Sequence, residues 1–154
     1  MTAATGVSPE DAAALAAVRR VVLGCPDDAA LLAGLRGLPG GPQAAFSLVG
    51  GGMPDAFRPE RAGGESGLVS FDVDIDGRTE RLVLALTPTG CAAAPVEGTP
   101  DTAIALGLPT FLRLAFGATT GADAYLDGAV SVTGDVVLAA GFDEWFEPPA
   151  GGVE

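Results

Sequence analysis

Val69, Phe71, Val73 and Ile75 alternate with Ser70, Asp72, Asp74 and Asp76. A period of two predicts a half-buried strand over Leu68–Ile75, with one face on a core and the other in water. Asp76-Gly77 reads as a hairpin turn. Glu80–Thr87 returns as a second strand with Leu82, Leu84 and Leu86 on one face. Cys91–Val96 is a third strand, weakened by its alanines. Thr102–Leu106 is a fourth, started after Pro100-Asp101.

The period changes on either side of these strands. Ser8-Pro9-Glu10-Asp11 opens a helix, with Ser8 as cap, Pro9 at the first helical position and Asp11 placed as in a capping box. Leu15, Val18 and Val22 follow at helical spacing, and Gly24 ends it. Asp27 caps a shorter helix carrying Leu31, Leu32 and Leu35, and Gly37–Pro42 is a break. Gln43–Phe57 is read as a helix, although Gly50-Gly51-Gly52 in its interior costs about 1 kcal/mol per glycine. Later, Pro109–Phe116 is a helix closed by Gly117, and Asp123–Leu126 a short one closed by Gly128. Val130 and Val132 mark a fifth strand. Gly134-Asp135 opens a last helix through Val137, Leu138, Phe142, Trp145 and Phe146, ended by Pro148-Pro149. Strands in a meander followed by helices predict an α+β sheet covered on one face.

Composition narrows what such a fold can do. The 154 residues suit one domain, and 48% apolar content is too high for disorder. The net charge is −12, all eight cations are Arg, and there is no His and no Lys. That excludes an imidazole base or ligand, a Schiff base and a phosphate-loop lysine. So acidic a chain is a poor partner for nucleic acid. Met1–Val7 lacks the basic and apolar regions of a secretory signal, and no apolar run reaches the ~18 residues of a membrane span. Two cysteines make no disulfide framework. The expectation is a bacterial, cytoplasmic protein without stable membrane insertion.

Candidate chemistry is sparse. Asp72-Val73-Asp74-Ile75-Asp76-Gly77 opens like a calcium loop, but the twelfth position, which needs a bidentate Glu, is Val83. The acids read as a solvated strand face, and no metal is expected. Cys25 precedes a helix start, which lowers a thiol pKa, yet Asp27 and Asp28 oppose this and no base is available. Cys91 reads as a small core residue. Gly50-Gly51-Gly52 lacks the Lys and Ser/Thr of a phosphate loop. Asp123, Asp127, Asp135, Asp143 and Glu144 read mostly as caps and solvated faces. Tyr125, the sole phenol, is the best catalytic candidate if the protein is an enzyme, with a neighbouring carboxylate assisting. Phe111, Leu112, Leu114, Phe116, Phe142, Trp145 and Phe146 form an apolar set that either fills the space above the sheet or lines it.

Several segments resemble the sterol carrier protein type two family, the sterol-binding or lipid-transfer domain. Ala56-Phe57-Arg58-Pro59-Glu60-Arg61-Ala62 looks like its opening segment. Pro100-Asp101 with the following strand, then Phe111-Leu112-Arg113-Leu114-Ala115-Phe116-Gly117, is similar to its mid-domain strand and helix. Ala124-Tyr125-Leu126-Asp127-Gly128-Ala129-Val130-Ser131-Val132-Thr133-Gly134-Asp135 resembles its small-residue turn, short strand and Gly-Asp helix start. The resemblance spans roughly residues 53–146. It departs from the family where Ala129-Val130-Ser131 carries no basic residue, and in the alanine-rich third strand. The resemblance implies a five-stranded, mostly antiparallel sheet with helices over one face and an apolar tunnel between them, and no cofactor. Phe71, Val73, Leu84 and Leu86 of the sheet, with Phe111, Leu114, Phe116, Tyr125, Leu126, Val137 and Phe142 above it, would line the tunnel. Residues 1–42 form an N-terminal helical extension, 43–147 the family-like domain and 148–154 a flexible tail. The expected function is a carrier holding a fatty acyl, sterol or polyketide-like molecule. The alternatives are a cofactor-free cyclase or isomerase on the same fold, and an acidic interaction domain. A homodimer, or docking to a larger enzyme, remains open.

Overall fold

The computed structural model describes residues 9–25, 27–62, 66–75, 77–94 and 99–134. The alternating stretch forms β1 (Gly67–Ile75), and β2 (Arg78–Thr87) returns beside it in antiparallel register, with Val69 opposite Leu84 and Phe71 opposite Leu82. The turn uses Gly77 at φ 91°, a left-handed conformation that glycine adopts without steric cost. β3 (Gly90–Ala94) pairs antiparallel with β2. β4 (Thr102–Gly107) lies parallel to β1, and β5 (Val130–Gly134) antiparallel to β4. The order β3-β2-β1-β4-β5 makes one five-stranded, mostly antiparallel sheet with β1 at its centre.

Six helices accompany the sheet among the described residues: α1 (Pro9–Gly24), α2 (Asp28–Arg36), α3 (Gly41–Ala56), α4 (Pro59–Ala62), α5 (Leu108–Ala115) and α6 (Gly121–Leu126). The Asp27 side chain caps α2 as expected, accepting from the Ala30 N–H at 2.7 Å. Thr120 caps α6 in the same way, accepting from the Asp123 N–H at 3.1 Å. α3 runs straight through its three glycines and starts earlier than the pattern implies, behind a left-handed Gly40 and with Pro42 in the first turn. The single turn α4 carried no apolar period by which to read it. The expected last helix, with Asp135, Val137, Phe142, Trp145 and Phe146, and the tail 148–154 lie outside the described residues.

The helices meet the sheet on one face. Strand register puts Val69, Phe71 and Val73 on the same side as Leu82, Leu84 and Leu86, and as Ile104, Leu106, Val130 and Val132. α5 packs on β1 and β4 from one side and under α1, α2 and α3 from the other. Leu108, Pro109, Thr110, Phe111, Leu112 and Leu114 of α5 are therefore all buried, which is how a helix between two layers must be built. Leu15, Val18 and Val22 of α1 and Leu31 and Leu35 of α2 join the same apolar cluster as the sheet residues.

The opposite face carries the described acids as expected but is not uniformly wet. Asp74 is exposed, and Asp72 pairs with Arg81 at 2.7 Å, but Ser70 is fully buried together with its cross-strand partner Val83. Ser70 sits on the central strand between Val83 and Ala103. So small a side chain, flanked on both sides, keeps little surface of its own, and its Oγ has no hydrogen-bond partner.

Asp101 fastens the lower edge of the sheet. Its N–H donates to the Leu68 carbonyl and its carboxylate accepts the Leu68 N–H, each at 2.8 Å. Gly134, at φ 102° at the end of β5, rests directly on the Asp101 carbonyl, where a Cβ would overlap it. Gly134→Ala is therefore expected to cost about 2 kcal/mol or more. Denaturant unfolding, read against the unmodified chain, checks this.

Candidate functional site

The inner sheet face and the helices over it form the region to which the pattern points. Phe71 and Val73 on β1 and Leu84 and Leu86 on β2 are buried, with exposures between 0% and 3%. From above, α5 supplies Phe111 and Leu114, and Phe116 follows at its C-terminal cap; all three are buried. Seven of the expected lining residues are thus buried members of one apolar cluster. Phe111 is its pivot. Its ring lies 6.0 Å from Phe71, edge to face at 68°, and 5.5 Å from Phe46, tilted at 52°. These separations suit favourable aromatic pairs.

Tyr125 and Leu126 do not join this cluster. They are the last residues of α6 and are 52% and 80% exposed. Ala124 is the buried residue of that short helix, and its neighbours face solvent. Val137 and Phe142 lie outside the described residues. Sequence reasoning passed over the α3 contribution: Ala45, Phe46, Val49 and Met53, with Phe57 just beyond, are buried in the same cluster. The signal was present as apolar residues spaced by three and four from Phe46 to Phe57, interrupted by the glycine run.

Among the described residues the buried polar side chains are Ser70, Thr102 and Thr110, none of them an acid or a base. Arg113 runs along the upper side of α5 and reaches Asp28 at the start of α2, Nη1 to Oδ1 at 2.5 Å. Its Nη2 is buried without a partner. Cys25 and Cys91 are free thiols, each half-buried. Burial pushes the Cys91 thiol up to about 11, far from a nucleophile's range. Among the described residues no cluster of His, Cys, Asp or Glu has the arrangement of a metal site, and no helix is long and apolar enough to cross a membrane. The described side chains gathered between sheet and helices are apolar ones from both layers.

Residues 60–147 match the profile of the SCP-2 sterol transfer family. No curated protein sequence matches the chain. Among solved structures, sterol carrier protein 2 like 2 from Aedes aegypti is similar over 66% of this chain and 93% of its own, at 20% identity and a TM-score of 0.51. The inverting sec-alkylsulfatase of a Pseudomonas species is similar over 94% of this chain but only 26% of its own, at 14% identity and a TM-score of 0.54. At such identities the likeness is one of fold. The second match reaches its extent only by including the helices ahead of the family profile.

Truncating the pivot empties a site contacted from both layers, so Phe111→Ala is expected to lower stability by about 3–5 kcal/mol, read from denaturant midpoints. The raised Cys91 pKa carries its own pH dependence. The unfolded chain gives up this proton near the ordinary thiol value, while the folded chain keeps it up to about 11. The contribution to stability is therefore full below the ordinary value and is lost as pH rises through that window. Cys91→Ala is expected to flatten the fall in unfolding midpoint between about pH 9 and pH 11; identical pH profiles for the two proteins would contradict it.

Proposed function

The chain belongs to the SCP-2 sterol transfer family, and from that premise we propose that it is a carrier that holds a hydrophobic small molecule, a fatty acyl chain or sterol, between the inner sheet face and the helices above it. Membership supports a lipid-binding or lipid-transfer function. The observation that carries the finer reading is the character of the interior. Phe71, Val73, Leu84, Leu86, Phe111, Leu114 and Phe116 are apolar side chains buried from both layers, with no titratable group among them. Burial of one CH₂ gains about 0.8 kcal/mol. A ten-carbon chain thus gains several kcal/mol after ordering costs, with no catalytic residue required.

Residues 43–147 form the carrier domain in this reading, and residues 1–42 an extension that closes it from above. α1 and α2 bury Leu15, Val18, Val22, Leu31 and Leu35 in the same cluster, and the Arg113–Asp28 pair joins α2 to α5. The charge bears on delivery. At −12 the chain is repelled by anionic lipid surfaces, so exchange with a neutral surface or a partner protein in the cytoplasm is favoured over docking on such membranes.

Native mass spectrometry of freshly purified protein is expected to show an adduct of lipid mass that organic extraction removes. Protein that is consistently empty, and that takes up neither a fatty acid nor a sterol on incubation, would contradict the proposal.

A further inference from the structure

Both halves of α3 bury apolar side chains in the core, but a glycine run and a proline separate them. In the first half the Phe46 ring meets Phe111 at 5.5 Å, tilted at 52°, and Ala45 and Val49 are buried. Gly50-Gly51-Gly52 then removes side chains from most of a turn, and each glycine weakens a helix relative to alanine. Pro54 lacks the N–H that would bond the Gly50 carbonyl, so the ladder loses a rung across the same turn. Beyond the glycines, the buried side chains described are Met53 and, at the C-cap, Phe57.

The sheet under this weak half is thin in side chains as well. α3 packs against β3, and Gly50 faces Leu82 of β2, where a Cβ would stand 3.2 Å from Cδ2. The register Leu84↔Ala93 and Leu86↔Cys91 leaves β3 only Cys91 and Ala93 to present toward the helices. A hinge sequence in the helix and small residues in the adjacent edge strand thus coincide, and neither is needed to explain the other. Elsewhere α5 fills the space over β1 and β4 with Leu108, Phe111 and Leu112.

We infer that the second half of α3, Gly50–Phe57, is the door of the carrier, swinging about the glycine run to open a passage along the β2–β3 edge for a single acyl chain. The inference rests on the lipid-binding reading and adds where the ligand passes and what moves. The moving segment is about 10 Å long, which suits a chain entering end-first. Met53, unbranched and flexible, repacks readily as the segment lifts. Phe46 keeps the first half seated on Phe111, so the rest of the core stays closed.

Gly51 provides the test, because nothing lies within 4 Å of a Cβ placed there and its φ is not in the left-handed region. Gly51→Ala therefore favours the closed helix and adds no clash. With pyrene-labelled hexadecanoic acid as probe and the full chain in stopped flow, Gly51→Ala is expected to slow uptake and release alike by about fivefold, at unchanged equilibrium affinity. Gly24→Ala, also in open space but at the end of α1, is expected to leave both rates as they are. In the ligand-free chain, amides of residues 51–57 are expected to exchange with deuterium ahead of those of residues 43–49. Rates unchanged in Gly51→Ala with binding intact, or uniform exchange along α3, overturn the door alone. A chain that does not take up the probe overturns the lipid-binding reading, and the door with it.

Discussion

Phe111 meets Phe71 of the central strand below it and Phe46 of α3 above it, and the layering of the molecule depends on this junction. A five-stranded sheet with one apolar face cannot stand in water without a cover. A helix of eight residues is too short to hold its shape unaided. α5 resolves both problems by burying nearly its whole circumference. Its lower side completes the sheet's core, and its upper side gives α1, α2 and α3 an apolar floor.

The arrangement separates two kinds of surface. Aromatic and branched aliphatic side chains are gathered between sheet and helices, where aromatic contacts add to area burial. Of the described acidic residues, Asp72 on the outer sheet face is neutralised by Arg81, and Glu80, toward the turn end of β2, pairs with Arg78. An exposed pair of this kind adds little stability, so the fold relies on its interior. The helices ahead of the family profile share that interior rather than forming a unit of their own. The likeness to the alkylsulfatase extends over 94% of this chain and so takes in this region as well.

Much of this was legible along the chain. The strands in Leu68–Ile75 and Glu80–Thr87, and their hairpin, follow from a period of two bounded by a turn dipeptide, and β1 and β2 match it closely. Asp27 announced the start of α2 through a cap whose chemistry is local. Phe71, Val73, Leu84 and Leu86 were assigned to the covered face by alternation alone, because neighbouring residues of a strand must point to opposite sides. Phe111, Leu114 and Phe116, read as part of an apolar set above the sheet, are buried there, because an apolar helix following a sheet has one place to go.

Other features depend on which elements become neighbours, and no local pattern carries that. Ser70 belongs by alternation to the wet face, but its strand is central and its flanks are Val83 and Ala103, so it is buried. Tyr125 and Leu126 share the apolar character of the lining set, yet α6 turns them outward and buries Ala124 instead. Gly134 looks like any strand-ending glycine until β5 lies against β4 and brings it onto the Asp101 carbonyl. The sequence by itself determined most of the elements, the Asp27 cap and the covered side of the first hairpin, since each is set by interactions a few residues long. Tertiary structure decided the partner of Phe46, the burial of α5 on both sides and the meeting of α3 with β3, because these contacts join residues far apart in the chain and exist only once the layers close.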